Sequence, residues 1–392
     1  MQQSLYLAYR YLAYHKFRTL VLTASIAIIT FLPSGLKKLI EESETQMMAR
    51  ADATPLIIGA KGSSTDLVIN TMYFQREEIE TITMNAVDTL NTMQLGNAIP
   101  VLSAFHARGF TIVGTTLDYF DFRGLRIKEG RLLQFVGECV IGARVAERLQ
   151  LAAGDSLVSS PENFFDLAGV YPLKMAIVGV LERSDTPDDN AVFTDMKTNW
   201  VIMGLGHGHE DLTKVNDPTL VMDRSDSTIT ATAKLFMYNV ISGKNLDSFH
   251  FHGIMSEYPV SSVLFVPNDQ KSATILRGRF EAGILPQQIV VPSKVVENLL
   301  QSIFRIKQIF DTVFVLVGFA TLLILGLIVT LSLRLRKDEI FTMFTIGSSR
   351  WKVAELLLLE LLIIIFLSGL MAFILYFFTG FFVEDFIHYF II

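Results

Sequence analysis

The sequence is poor in the residues that carry most soluble enzyme chemistry. A single cysteine, Cys139, excludes an intramolecular disulfide. No G-x-x-x-x-G-K-[ST] phosphate loop occurs, so the chain has no nucleotide-hydrolysing motif of that kind; H-E-x-x-H and G-x-S-x-G are missing too, and no hydrolytic site stands out. Charge is also scarce. Charged residues make up 18% of the chain, against about 25% in an ordinary soluble protein. The small surplus is acidic, with a net charge of -6, which removes the basic face a nucleic-acid partner would need. Apolar residues take the place of charge: they make up 51% of the chain, and the mean hydropathy is +0.43. Yet 18% charge is too much for a chain buried wholly in lipid. The composition fits a membrane protein with most of its mass outside the membrane.

Three runs lack charge altogether: Thr19–Leu36, Thr312–Leu333 and Leu361–Val383. The last two are each long enough to cross a hydrocarbon core of roughly 30 Å at about 1.5 Å per helical residue, and the first is longer than a typical signal-peptide core. The segment between the last two carries Arg334, Arg336, Lys337, Arg350 and Lys352 against Asp338 and Glu339, which places it in the cytoplasm by the positive-inside rule. The first run is followed by KKLIEESETQ, with no small-residue cleavage site, so it reads as a retained anchor and not a signal peptide. Ahead of it, Leu5, Ala8, Tyr9 and Leu12 share a helical stripe beside Arg10, Lys16 and Arg18, as in a helix lying on the membrane surface. Arg305 and Lys307 flank the second span on its outer side, but long translocated domains largely escape the charge rule.

The expected organisation is therefore three transmembrane helices with a large α+β extracytoplasmic domain on a helical stalk. A cytoplasmic interfacial helix covers 1–18, and transmembrane helices cover 19–36, 308–334 and 353–383. The outer domain covers 37–307, a cytoplasmic segment 335–352 and an outer tail 384–392. The spans hold no buried charge and few polar groups, whereas an ion path leaves ionisable residues in the membrane; transmission of motion is the expected use. Pro292-Ser293 marks a helix start, and an unbroken helix from Ser293 to Arg334 would run about 63 Å. The alternative is an amphipathic helix broken near Lys307.

Within the outer domain, LIIGA, FTIVGTTL, CVIGA, DSLVSS, KMAIVGVL, SVLFVPN and QQIVVP read as strands, and RVAERLQL and KSATILRGRFEAG as helices. The expected division is a β-rich part over about 50–185 with a returning segment near 280–292, and a second lobe over about 190–280. IGAKGSSTD reads as a tight surface loop and not a phosphate cradle. Two H-x-H pairs stand out, His207 with His209 and His250 with His252. On a strand, positions i and i+2 share a face about 6.5–7 Å apart, a spacing that suits two imidazoles on one Zn²⁺; Phe249 and Phe251 would then face the core. Glu210 and Asp211 could add carboxylates to the first pair. The other reading is that both pairs simply face solvent.

In the cytoplasmic segment, Ile340, Met343, Phe344 and Ile346 give a short helix an apolar face that stops at Gly347, ringed by Asp338, Glu339, Arg350 and Lys352. Such a segment suits docking of a soluble motor, and an ordinary interhelical turn is the alternative.

Two stretches carry a resemblance. Gly137–Leu157, GECVIGARVAERLQLAAGDSL, resembles the outer-domain signature of MacB-type permeases, in which a strand and short helix precede a Gly-Asp turn, and KMAIVGVLERSDTPDDNAVFTDM resembles the strands that follow. KDEIFTMFTIGSSRWKVAELLLLE resembles the cytoplasmic loop of FtsX-like permeases. The resemblance implies a non-catalytic permease subunit of the mechanotransmission type, multi-pass in the bacterial inner membrane, with a periplasmic outer domain. It implies a cytoplasmic ABC ATPase dimer as partner, a second permease copy, a periplasmic substrate-binding or adaptor protein and surrounding lipid; ATP is used by the partner and no cofactor is bound. Asp338, Glu339, Ile340, Met343, Phe344, Ile346, Gly347 and Arg350 fall at its ATPase-coupling positions. The family has four spans, and the residues after Val383 are too few for another. ATPLIIGAKGSSTDLVINTMYF, FHFHG and the three-span end resemble permeases of zinc-responsive systems, which makes Zn²⁺ the expected metal. Other members export lipoproteins, lipids, drugs or peptides, or regulate periplasmic enzymes, and these alternatives stay open here.

Overall fold

In the computed structural model, the described residues are 2–75, 79–159, 172–208, 221–224, 229–231, 240–241, 243, 245–335 and 337–390. In chain order they form α1 (Gln2–Tyr14), α2 (Lys16–Asp52), β1 (Leu56–Gly59), α3 (Ser64–Tyr73), β2 (Ile82–Thr83), α4 (Met84–Thr92), β3 (Gly96–Ala107), β4 (Phe110–Thr115), α5 (Asp118–Arg123), β5 (Ile127–Gly130), β6 (Glu138–Ile141), α6 (Ala143–Leu149), β7 (Ser156–Val158) and β8 (Lys174–Leu181). There follow β9 (Ala191–Asp195), α7 (Met196–Ile202), β10 (Gly206–Gly208), β11 (Val221–Arg224), β12 (Ile229–Ala231), β13 (Phe249–Phe251), β14 (Pro259–Val260), β15 (Ser262–Pro267), α8 (Gln270–Glu281), β16 (Gln288–Val290), α9 (Pro292–Leu335), α10 (Lys337–Thr345) and α11 (Arg350–Phe390). Two units result: Met48–Val296, and Met1–Met47 with Glu297–Ile392.

The unit Met48–Val296 is built on a ten-stranded mixed sheet in the order β16-β1-β15-β3-β4-β9-β6-β8-β5, with β7 on β8. The pairs β4–β9 and β6–β8 are parallel. All seven strand readings fall on strands, and both helix readings fall on α6 and α8. Every residue of β1 and of β6 is buried, because both faces of the sheet are covered; such strands read as apolar runs without alternation. One core cluster gathers Ile58, Val87, Val263, Phe265 and Trp200; a second gathers Phe105, Ile112, Cys139, Ile141 and Ile177. The Gly137–Leu157 stretch folds as read: β6, α6, then a turn at Gly154 (φ +103°), whose N–H donates to the Ile177 carbonyl at 2.8 Å, with Asp155 accepting from Ala152 N–H at 2.9 Å.

Two expectations need correction. The second lobe does not extend over 190–280, since β9 and β15 are interior strands of the main sheet, β15 lying between β1 and β3. The long strand β3 is absent from the strand readings; Pro100 sits in it, and proline disfavours interior strands. The β3–β4 ladder begins only at Leu102↔Gly114, so the missing N–H of Pro100 removes no rung on that side. A two-residue turn, Arg108 (φ +52°) and Gly109 (φ +90°), closes this hairpin in the doubly left-handed manner of a type I′ turn.

In the second unit, α2 and α11 are each long and apolar enough to cross a membrane, α11 over Arg350–Thr379; within α9 the apolar stretch Asp311–Ile324 is shorter. Helix α9 starts at Pro292 and continues for 44 residues, about 66 Å, without a break at Lys307. Helix α1 packs along α11, burying Ala8 and Leu12 while Leu5 and Tyr9 stay exposed, so the stripe read as lipid-facing is half protein contact. A further correction concerns the third predicted span: Glu360 lies within it and is 6% exposed, so that helix does hold a buried ionisable group.

Candidate functional site: a histidine cluster, a helix clamp and a coupling turn

The path to the histidine cluster starts at Asp195, which caps α7 by accepting from Thr198 N–H at 3.0 Å. Helix α7 ends in a paired closure: Leu205 N–H donates to the Trp200 carbonyl and Gly204 N–H to that of Val201, both at 2.9 Å, with Gly204 at φ +79°. The chain leaves this cap directly into β10. Opposite it, β13 pairs antiparallel with the register Gly206↔Phe251, His207↔His250 and Gly208↔Phe249. A Cβ on Gly206 would meet the Phe251 ring at 2.6 Å, and one on Gly208 the Phe249 ring at 2.5 Å. The two glycines therefore make room for the two rings, which turn to the two core clusters and leave the histidines on the opposite face.

On that face His207, His250 and His252 converge. Their ring centroids are 4.7, 4.7 and 4.8 Å apart, and their candidate ligand atoms lie within 4.8 Å of one another. His207 is half-buried and the other two are exposed. Behind them, the Tyr258 hydroxyl donates to the His252 carbonyl at 2.6 Å, and its ring stacks edge-on against Trp200 at 5.0 Å. The structure thus brings together one histidine of the first H-x-H pair and both of the second. His209, Glu210 and Asp211 lie outside the described residues.

A second cluster went unread in the sequence. Arg50, in the last turn of α2, is buried in the outer unit and grips Asp188 with both terminal nitrogens, at 2.8 and 3.2 Å. Its Nε donates to the Met72 carbonyl at 2.7 Å. Asp188 also accepts from the Tyr119 hydroxyl at 2.6 Å and from Thr186 Oγ1 at 2.9 Å. Burial alone would push the Asp188 carboxyl up. The Arg50 guanidinium, helped by Arg123 and the Tyr119 hydroxyl, outweighs it and holds the group at about 2. Burial, reinforced by the Asp188 charge, pushes the Tyr119 phenol well up. The turn that carries Asp188 rests on the signature glycine before α6: a Cβ at Gly142 would meet the Asp188 and Asp189 carbonyl oxygens at 2.4 and 2.3 Å. Arg50 and Asp188 are too far apart in sequence for any spacing argument. Thr186-Pro187 at the start of a short helical turn was the only local signal.

The coupling segment is α10 with its cap. Gly347 (φ +92°) donates to the Phe344 carbonyl at 3.0 Å and Ser348 N–H to that of Met343 at 2.9 Å, the two bonds of a Schellman closure. Ser349 then caps α11, its carbonyl accepting from Lys352 N–H at 3.0 Å. The predicted coupling residues Asp338, Glu339, Ile340, Met343 and Phe344 lie on α10; Ile346 and Gly347 form its cap, and Arg350 opens α11. Met343 and Ile346 line a groove with Gln3, Ser4 and Leu7 of α1 and Val353 of α11. Ile346 stays 79% exposed, and so do two residues the sequence reading did not single out, Phe341 at 71% and Trp351 at 86%.

The family model described as "MacB-like periplasmic core domain" matches residues 21–235. The "Uncharacterized ABC transporter permease YclI" of Bacillus subtilis (strain 168) is 27% identical over 258 residues, 64% of this chain and 45% of that protein; the chain therefore spans less than half the length of this relative. The periplasmic region of MacB from Actinobacillus actinomycetemcomitans is 12% identical, covering 63% of this chain and 92% of that one with a TM-score of 0.35. The extracellular domain of the noncanonic ABC-type transporter YknZ from Gram-positive bacteria is 11% identical, covering 60% and 99% with a TM-score of 0.33.

Proposed function

The chain belongs to the MacB-like periplasmic core domain family, and from that premise we propose that it is the permease subunit of an ABC-type transporter, driven by an ATPase on another polypeptide. In this reading the chain crosses the inner membrane three times, α9 supplying the second span, with α10 in the cytoplasm and the unit Met48–Val296 in the periplasm. The permease acts as a dimer and catalyses nothing itself. ATP hydrolysed by the partner shifts α10, and the continuous helices α9 and α2 pass the shift to the outer domain, which hands a substrate or carrier onward. Metal acquisition is the substrate class we favour, because three imidazoles converge on an outward face of that domain.

The observation that carries the reading is the α10 turn. A short helix closed by Gly347 presents Phe341, Ile346 and Trp351 to solvent between two long apolar helices. Large apolar side chains exposed together, rimmed by charge, mark an interaction surface. No phosphate loop occurs in this sequence, and the reading takes its energy from a partner. Phe341→Asp and Ile346→Asp are expected to abolish co-purification of an ABC-type ATPase with the full chain while the variants keep the wild-type yield and circular dichroism. Retention of the ATPase by both variants contradicts the proposal.

A further inference from the structure

We propose that His207, His250 and His252 bind one Zn²⁺ ion through three imidazoles, with no fourth ligand among the described residues. The inference deepens the metal-acquisition part of the proposed function and does not depend on the coupling of α10 to an ATPase.

Three features of the fold argue for a built site. The first is register. His207 stands directly opposite His250, and His252 follows two positions on, so strand geometry alone puts all three side chains on one face. The second is what lies on the other face. The alternation Gly-His-Gly against Phe-His-Phe locks that orientation, because the Phe249 and Phe251 rings occupy the space where side chains at 208 and 206 would sit. The third is support behind the ligands. His250 Nδ1 lies 3.3 Å from the Ser248 carbonyl, and the tautomer that donates there leaves Nε2 as the ligand atom. The Tyr258 hydroxyl holds the backbone at His252 from behind.

The donor set selects the ion. Three imidazole nitrogens, with no carboxylate beside them among the described residues, suit Zn²⁺ and its transition-metal neighbours, and not Ca²⁺ or Mg²⁺, which demand oxygen. Tetrahedral Zn²⁺ with bonds of about 2.0–2.1 Å holds its nitrogens roughly 3.3 Å apart. The three donors, within 4.8 Å of one another, reach that spacing by a contraction of about 1.5 Å or less. Rotations of exposed rings can supply it. Among the described residues three ligands converge, the number a catalytic or exchanging zinc site takes from protein, whereas a structural site takes four. The bound ion would also tie β10 to β13, which share only a three-residue ladder.

The test uses the full chain in nanodiscs, titrated with Zn²⁺ against a chromogenic chelator and with Co²⁺ by absorption. One Zn²⁺ per chain and a tetrahedral Co²⁺ spectrum are expected. Loss of an outer-shell partner alone weakens metal sites about 10–100-fold, so each of His207→Ala, His250→Ala and His252→Ala should lose at least that much, and His15→Ala nothing. In a Trp351→Phe background, Trp200 fluorescence reports whether each variant is folded. His250→Cys keeps a ligand and should add a thiolate–cobalt absorption band, a gain that misfolding cannot imitate. No stoichiometric binding, or equal binding by the triple alanine variant, overturns the proposal. Cross-linking of α10 to an ATPase would be untouched by that failure.

Discussion

Replacing Asp188 by asparagine leaves the Arg50 guanidinium buried against a neutral amide, and the cost follows from the geometry. The carboxylate loses both ion-pair bonds from Arg50, and its other partners, the Tyr119 and Thr186 hydroxyls, lose an anionic acceptor. Breaking a buried pair from one side costs about 3–5 kcal/mol. The lowered carboxyl gives a second measure. A fall from 3.8 to about 2 is roughly two units, or about 2–3 kcal/mol at about 1.4 kcal/mol per unit. The sign is fixed: the folded carboxyl titrates below the unfolded one, so this stability is fully present above pH about 4. It is lost as pH falls toward 2. The assay is urea unfolding of the full chain in mild detergent by tryptophan fluorescence. The chain has two tryptophans, and Trp351→Phe leaves Trp200, buried in the outer unit, as sole reporter. At an m-value of about 3 kcal/mol/M the midpoint should fall by about 1 M or more. The difference between wild type and Asp188→Asn should shrink below pH 4. Arg50→Met with Asp188→Leu should regain at least half the loss, because neither charge is then stranded. A single-variant cost below about 1 kcal/mol, or a double variant no better than the single, refutes the clamp.

Gly142→Ala drives a methyl into the carbonyls of Asp188 and Asp189 and should cost about 1–3 kcal/mol in the same unfolding assay, non-additively with Asp188→Asn because both act on one turn. Gly347→Val places a β-branched residue at φ +92°; stimulation of the partner ATPase should fall while Trp200 unfolding stays unchanged. Ser348→Cys should react with an impermeant maleimide from the cytoplasmic side only. Cys139 will not interfere, since it is fully buried and burial pushes its thiol well up.

The sequence yielded much of this architecture where one physical rule dominated. Uncharged length marked α2 and α11, and apolar runs bounded by turn residues marked β1, β4, β6, β8 and β15. The reading failed where tertiary context overrode local chemistry. Strand β3 was not read, and it carries Pro100, which only the pairing with β15 and the delayed ladder with β4 make tolerable there. The second lobe was drawn too wide because strand order, which puts β9 and β15 inside the sheet, is non-local. The histidine spacing was visible, but the role of Gly206 and Gly208 in seating two phenylalanine rings was not, nor was the pairing of His207 with His250. The Arg50–Asp188 clamp left no periodic trace, since its partners meet only after the sheet is assembled.

The central claim, that α10 receives force from a separate ATPase, is tested most directly by a photo-cross-linking residue at Ile346. Position 346 is 79% exposed beside the Gly347 cap, so irradiating the full chain, co-expressed with the ABC-type ATPase of its host, should give a covalent permease–ATPase adduct. The same residue at exposed Ile284 of the outer unit should give none. An adduct from Ile284, or none from Ile346, Phe341 and Trp351 alike, contradicts the account.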